Sequence, residues 1–211
     1  SPAPPPPLCS VAGALPVAVC LFTPTLTPSP TPALTPALPP NQELCLWRCA
    51  SLHSPKVAAP LLHVLNYSDC FELSDAAVEA ACEHCPELTK LQLAGCNGLR
   101  APRALGGGGI QALDLSDLRH IEDDVLSSAV ARCPRLSRLD CSGCAALHSP
   151  AIGGLHLRAL LLSRCDELSD EAVSRACAHS PGLTSLVLSL CPALCLPRCY
   201  GLELLEASLS G

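Results

Sequence analysis

Aromatic residues and methionine are almost missing from this sequence. Among 211 residues there are two Phe, two Tyr, one Trp and no Met. A core built from such a chain must therefore be aliphatic, with Leu, Ala and Cys as its main components. Because not even the first residue is Met, we expect the chain to be a processed product or a fragment.

Charged residues are also scarce, at 15% of the chain, and the formal net charge is −6. This charge argues against a nucleic-acid partner, because such a protein needs a basic surface to neutralise phosphates. No apolar run reaches the roughly 18 residues that a membrane span requires, so no membrane association is expected. Hydrophobic residues nevertheless make up 49% of the chain, which excludes a wholly disordered protein.

Residues 1–40 contain no charged residue and no His, and thirteen of the 22 prolines lie there. Proline removes backbone donors and fixes φ, so we interpret this segment as a proline-rich, low-complexity, disordered tail. Its alternative roles are a proline-rich ligand, a proline-directed phosphorylation stretch or an O-glycosylated stalk. Leu8–Phe22 is apolar enough for a secretory leader, but it lacks a basic segment and Pro16 interrupts it.

Residues 41–211 repeat one template, L-x-x-L-x-L-x-x-C-x-x-L. The first slots lie at positions 41, 62, 88, 110, 136, 157 and 183, and a partial copy begins at Leu202. The steps between the seven full copies alternate between 21 or 22 residues and 26 residues. We therefore expect one domain of about seven repeats plus a partial one.

The long and short repeats predict different connections between strands. Each long repeat has an Asp two residues after its last slot, at Asp75, Asp123 and Asp170, followed by an Ala- and Val-rich segment. Ser or Asp before such a segment can cap a helix, and a later Pro predicts its end. Each short repeat instead has a Pro three residues after the slot and too little chain for a helix. A tight turn or a short 3₁₀ piece is expected there, at prolines 55, 102, 150 and 197.

Within each copy, the L-x-L element predicts a strand whose two leucines point to one face. One strand and one return cannot bury that face alone, whereas stacked copies can. The predicted fold class is therefore α/β: a solenoid shaped as a short horseshoe, with parallel strands on its concave face and alternating helical and short-turn returns.

The run C-P-x-L-x-x-L-x-L-x-x-C-x-x-L-S-D-x-x-V resembles the cysteine-containing leucine-rich repeat. Residues 85–99 carry its first half and residues 157–173 its second half. This subtype is typical of F-box leucine-rich repeat proteins, the substrate receptors of SCF-type ubiquitin ligases. The resemblance covers residues 41–211 and implies a leucine-rich repeat domain that recruits a protein partner for ubiquitination and proteasomal degradation.

The sequence contains no L-P-x-E-type F-box segment before the repeats. Contact with the ligase core subunits would therefore need a segment absent from this chain. Two other interpretations stay open: an intracellular leucine-rich repeat scaffold unrelated to ubiquitin, and a secreted or surface leucine-rich repeat binding protein.

The template accounts for most of the cysteines that lie in the repeats. Because Cys acts there as a small buried residue, disulfides are not needed, and a reducing compartment, cytoplasm or nucleus, is expected. The pairs Cys82/Cys85 and Cys141/Cys144 have C-x-x-C spacing, but no second pair follows at zinc-ligand spacing. We therefore predict no metal and no cofactor. The cysteines in template slots are Cys49, Cys70, Cys96, Cys144, Cys165 and Cys191.

No motif supplies catalytic chemistry. Gly106–Gly109 lacks the Lys and Ser/Thr that follow in a phosphate-binding loop, and no nucleophile elbow or paired acid and base stands out. We therefore expect a protein-binding module and not an enzyme.

Strand alternation predicts a partner-binding surface on the concave face, formed by residues between and beside the inward leucines. It is expected to be polar and of mixed charge in the middle and apolar towards the C-terminus. Trp47 serves equally well as an interface residue or as a cover over one end of the stack. The predicted residues are Cys45, Trp47, Asn66, Ser68, Lys90, Gln92, Asp114, Ser116, Arg138, Asp140, Ser142, Leu161, Ser163, Val187 and Ser189.

Overall fold

A computed structural model describes residues 43–100 and 105–195. The proline-rich segment 1–40, the first slot Asn41, prolines 102 and 197, and the partial copy that begins at Leu202 lie outside these residues. The described residues form seven parallel strands in one sheet, ordered as they occur along the chain. The strands are β1 (Glu43–Cys45), β2 (Val64–Asn66), β3 (Lys90–Gln92), β4 (Ala112–Asp114), β5 (Arg138–Asp140), β6 (Ala159–Leu161) and β7 (Ser185–Val187).

Each strand has three residues, and the middle one is a buried leucine. The register places these leucines side by side across the whole sheet. In β3, for example, Leu91 is fully buried, and so is Leu93 directly after the strand. The prediction that the leucine pair points inward is confirmed, as is the α/β class with parallel strands. The middle leucines are Leu44, Leu65, Leu91, Leu113, Leu139, Leu160 and Leu186.

Hydrogen bonds between neighbouring repeats continue beyond the strands. The residue just before each Cys slot has a positive φ, and in the first six described repeats its N–H donates to the next repeat, as from Arg48 to the Ser68 carbonyl at 2.8 Å. This left-handed conformation is unfavourable for residues other than glycine, so the inter-repeat bonds must hold the chain in it. The residues in this position are Arg48, Asp69, Gly95, Asp117, Gly143, Arg164 and Leu190.

Three helices lie in the long repeats, as the spacing predicts. They are α1 (Asp75–His84), α2 (Asp123–Arg132) and α3 (Asp170–His179), which follow β2, β4 and β6. Each ends one residue before a Cys-Pro or Ser-Pro pair, because the residue before proline disfavours helical angles. Small side chains on the buried face, such as Ala77 and Ala81 in α1, let the helix lie close to the core.

The predicted helix caps are only partly correct. The N-cap residues are Ser74, Glu122 and Ser169, and of these the Ser169 side chain accepts a hydrogen bond from the Ala172 N–H at 3.2 Å. Each aspartate stands one residue later, inside the helix. There its carboxylate is directed at the backbone of the next short repeat.

Asp123 shows this link most clearly. One of its carboxylate oxygens accepts from the His148 N–H at 3.0 Å and the other from the Ser149 N–H at 2.8 Å. Asp75 accepts from Arg100 N–H in the same way. The aspartates of the long repeats therefore connect neighbouring repeats.

The short repeats return through turns, and their described residues contain no helix. Gly106 lies directly against α2, with a φ of 110°. A Cβ atom there would lie 2.9 Å from the Cys133 Sγ and 3.1 Å from the Ala129 carbonyl oxygen. This glycine is needed for a close approach to the helix.

Replacing Asp123 with Ala should lower the free energy of unfolding by about 1–3 kcal/mol, because two backbone N–H groups lose a charged acceptor. Urea unfolding followed by circular dichroism measures this difference. The matched control is Asp124→Ala, which removes the same charge from the exposed neighbouring residue and loses only a bond within its own helix, from the Val125 N–H at 2.8 Å. Equal losses in both variants would show that charge near the helix start, and not the link to the next repeat, is responsible.

Tyr67 occupies a slot that other repeats fill with Leu or Cys. Its side chain is fully buried, and its hydroxyl has no hydrogen-bond partner among the described residues. A buried hydroxyl without a partner costs stability. We expect Tyr67→Phe to raise the free energy of unfolding by about 1 kcal/mol, measured by the same unfolding curves. A destabilised variant would reveal a bonding role for this hydroxyl.

Candidate functional site

One side of the sheet carries no covering layer in the described part of the chain. This surface, the sheet face, consists of the first and third residues of each strand, and all of them are exposed or half-buried. The three helices pack their buried sides into the core instead. The parallel register brings equivalent residues of neighbouring repeats into straight rows.

The structure places the predicted binding residues in three such rows. Lys90 and Arg138 are first residues of their strands. The third residues are Cys45, Asn66, Gln92, Asp114, Asp140, Leu161 and Val187. Two positions further on, in the turns after the strands, lie Trp47, Ser68, Ser116, Ser142, Ser163 and Ser189.

The first row was only partly anticipated from the sequence. Lys90 and Arg138 were expected on this face, whereas the other residues of the same row were not. The same alternation would have found them, because they stand two residues before members of the third row. They are Glu43, Val64, Ala112, Ala159 and Ser185.

A depression lies in the middle of the sheet face, over β3, β4 and β5. Its floor is low because Ala112 carries only a methyl group, while its register neighbours Lys90 and Arg138 are long. This alanine therefore separates two cationic side chains with an open gap. The residues that line the depression are Lys90, Leu91, Gln92, Ala112, Leu113, Asp114, Arg138 and Asp140.

The two rows in the depression differ in charge. Lys90 and Arg138 form a basic side at the start of the strands, and Gln92, Asp114 and Asp140 form an acidic and amide side at their ends. The Arg138 Nη2 lies 4.0 Å from the Asp140 Oδ2, the outer limit of an ion pair, and the arginine side chain is 55% exposed. Such a pair contributes little by itself. The guanidinium therefore faces the solvent, whereas the Asp140 side chain is only 19% exposed.

The acidic side chains are held in place by the turns that follow their strands. The Asp114 Oδ1 accepts from the Ser116 N–H at 3.1 Å and from its hydroxyl at 2.7 Å. The Asp140 Oδ1 accepts from the Ser142 N–H at 3.1 Å. These hydrogen bonds fix the direction of the carboxylates before any partner arrives, which lowers the entropy cost of binding.

Trp47 lies at the first-repeat end of the sheet face. Its indole Nε1 donates to the Asp69 Oδ2 at 3.1 Å, and the Arg48 guanidinium lies 5.2 Å from its ring centroid. The side chain is 44% exposed. It is thus held against the next repeat while part of its ring stays accessible, which suits both roles considered for it. At the other end, Leu161 and Val187 are half-buried, and Leu190 in the following turn is 58% exposed.

The slot cysteines connect neighbouring repeats through their thiols. The five slot cysteines after Cys49 each donate from Sγ to a carbonyl of the preceding repeat, at the second inward residue of its L-x-L element, whereas the Cys49 Sγ donates within its own repeat, to the Trp47 carbonyl at 4.0 Å. The series is interrupted where Leu118 occupies the Cys slot, since leucine cannot donate. The pairs are Cys70 to Leu46 (3.1 Å), Cys96 to Tyr67 (3.0 Å), Cys144 to Leu115 (3.1 Å), Cys165 to Cys141 (3.2 Å) and Cys191 to Leu162 (2.9 Å).

Burial keeps these thiols protonated. Desolvation raises the pKa of Cys70 from 9.0 to about 11 and that of Cys96, Cys144 and Cys165 to about 12. A protonated thiol is a donor and a poor nucleophile or metal ligand. The thirteen cysteines of the described residues are all free. Within residues 43–100 and 105–195, no three His, Cys, Asp or Glu side chains come together as a metal site would require.

No helix among the described residues is long and apolar enough to cross a membrane. Neither a protein-family model nor a curated protein sequence matches the chain. One similar solved structure is the crystal structure of the Rad7 and Elc1 complex in yeast, at a TM-score of 0.48 and 16% identity. The match covers 78% of this chain and 54% of the other, so the chain spans about half the length of the protein it matches.

Raising the pH from 8 to 11 should destabilise the protein. The thiols hold their protons to a higher pH when folded than when unfolded, so the unfolded state binds fewer protons above pH 9 and the free energy of unfolding falls. Thermal melting in a reducing buffer measures the slope. A Cys96→Ser, Cys144→Ser, Cys165→Ser variant keeps a donor that does not titrate in this range, so its slope should be smaller. Parallel slopes would contradict the assignment to these thiols.

Proposed function

We propose that the repeats form a leucine-rich repeat solenoid, a short horseshoe with the sheet face on its concave side, which binds a partner protein there. Helices and turns form the returns, and they take up more chain than the three-residue strands. A longer outer layer joined to a shorter inner one favours curvature towards the strands. This proposal covers residues 41–211, of which the strands span 43–187.

The observation that supports binding is the depression of mixed charge in an uncovered, rigid sheet. Seven strands in one register hold its side chains at fixed spacing, and the Asp114 and Asp140 carboxylates are oriented by their own turns. Preorganised charges of this kind give specificity to protein interfaces.

The proposed role is recruitment and not catalysis. The depression contains side chains suited to ion pairing and hydrogen bonding, and the buried thiols are held in their unreactive form. A reducing location, cytoplasm or nucleus, agrees with the thiol bonds between repeats, since oxidation would remove the hydrogen that each of them donates.

The more specific proposal is that the partner is a substrate for SCF-dependent ubiquitination and proteasomal degradation. Its support is the resemblance of the Cys-containing repeats to those of F-box leucine-rich repeat proteins. An intracellular scaffold unrelated to ubiquitin is the second candidate, because a repeat sheet with an uncovered face can bind a partner without any ligase. A secreted or surface binding protein is the third, on account of Leu8–Phe22 and the Thr-Pro-rich segment.

Site-specific photo-crosslinking tests the binding face. A benzophenone amino acid at Gln92, in the depression, should give covalent adducts with a partner in cells, whereas the same residue at Ser128, exposed on α2, should not. Adducts from both positions, or from Ser128 alone, would contradict binding through the sheet face.

The ubiquitin proposal has its own test. The complete gene product should co-purify with a cullin complex and lose it when an F-box segment is deleted, while the Gln92 adduct should accumulate when the proteasome is inhibited. A partner whose abundance does not change when the proteasome is inhibited, bound to a gene product without an F-box, would support the scaffold proposal.

A further inference from the structure

The charge pattern of the depression on the sheet face indicates which kind of partner segment would bind there. We propose that it binds an extended segment of the partner in which an acidic and a basic side chain lie two residues apart. The acidic side chain is seated between Lys90 and Arg138, and the basic one is directed at Asp114 and Asp140. This inference rests on the proposed function and deepens it.

The position of the acidic group follows from the gap over Ala112. Lys90, Ala112 and Arg138 are direct register neighbours on three adjacent strands. Neighbouring strands are about 4.8 Å apart, so the two cationic residues start about 10 Å from each other. A carboxylate in this gap can accept from both side chains, because each is long enough to close half of the distance. A larger residue at position 112 would fill that space.

The position of the basic group follows from the strand geometry. Asp114 and Asp140 stand two residues after Ala112 and Arg138 in their strands. Two residues span about 7 Å along a strand, which is also the distance between alternate side chains of an extended peptide. A segment lying along β4 therefore meets both charged sides of the depression with residues i and i+2. The matching motifs are D/E-x-K/R and its reverse, according to chain direction.

The mixed charge selects a peptide over a simple anion. A phosphate or a nucleic-acid backbone seated near Lys90 and Arg138 would approach the two carboxylates, which repel it. The Arg138–Asp140 contact is too long and too exposed to oppose an incoming ion pair strongly. A zwitterionic segment satisfies both sides of the depression at once.

The test is selection from a random seven-residue peptide library displayed on phage, with the whole 211-residue chain as target in reducing buffer. We expect enrichment of an acidic and a basic residue at spacing i, i+2. The double variant Lys90→Glu, Arg138→Glu should bind the selected peptide at least tenfold more weakly. The control Lys56→Glu, Arg132→Glu makes the same charge change at exposed residues outside the depression and should bind normally. Thermal melting of each variant establishes that it is folded.

A further variant, Ala112→Gln, fills the depression without changing its charge, and it separates the two proposals. Suppose that the selected peptides have another composition, and that Ala112→Gln abolishes their binding while the charge reversal does not. This result would overturn the charge assignment and leave binding at the sheet face intact. Peptides whose affinity is unchanged by every sheet-face variant would overturn both the charge assignment and binding at the sheet face. If no peptide is enriched, the segment proposed here is wrong, and the crosslinks from Gln92 decide whether the face binds anything.

Discussion

The middle leucine of each strand is buried by contact with a neighbouring repeat, and in β2 to β6 another strand lies on either side of it. A three-residue strand such as β3 cannot cover Leu91, and it cannot pair its own N–H and C=O groups. The neighbouring repeat supplies both, and the left-handed residue that follows each of β1 to β6 adds one more inter-repeat bond. The stability of each repeat therefore depends on its contacts with the neighbouring repeats. A side chain that strengthens one such contact can do the same in every copy.

Cysteine suits this constraint better than other small residues. Its slot is buried beside a carbonyl of the preceding repeat, where alanine would leave that carbonyl without the thiol donor. Desolvation raises the pKa of the Cys96 thiol from 9.0 to about 12, so the donor persists into alkaline solution. Leu118 has no such donor but a larger apolar side chain, and the Leu93 carbonyl accepts from the Cys96 N–H at 3.1 Å. The recurrence of Cys is thus explained by contact between repeats and needs no disulfide or metal.

Much of this architecture could be predicted from the sequence, because it depends on spacing. Period-two alternation identified the buried leucines, and the 26-residue steps located all three helices and their ends. The left-handed turns were missed since only Gly95 and Gly143 signalled them, whereas Arg48 and Arg164 adopt the same angles and donate hydrogen bonds to the next repeat. The links from Asp123 were also missed, because a local pattern does not show which neighbouring backbone a side chain will meet.

The sheet face follows different rules from the core. A residue at position 112 has to fit a strand, but no inward slot requires it to be small, since the core there is closed by Leu113 and Leu115. The charges of Lys90 and Arg138 likewise support no strong pairing within the chain. Asp114 and Asp140 support the turns that follow their strands, whereas the gap over Ala112 between two cationic side chains is not needed to close the core. Because the core does not depend on the residues of the sheet face, they can be mutated without unfolding the repeats.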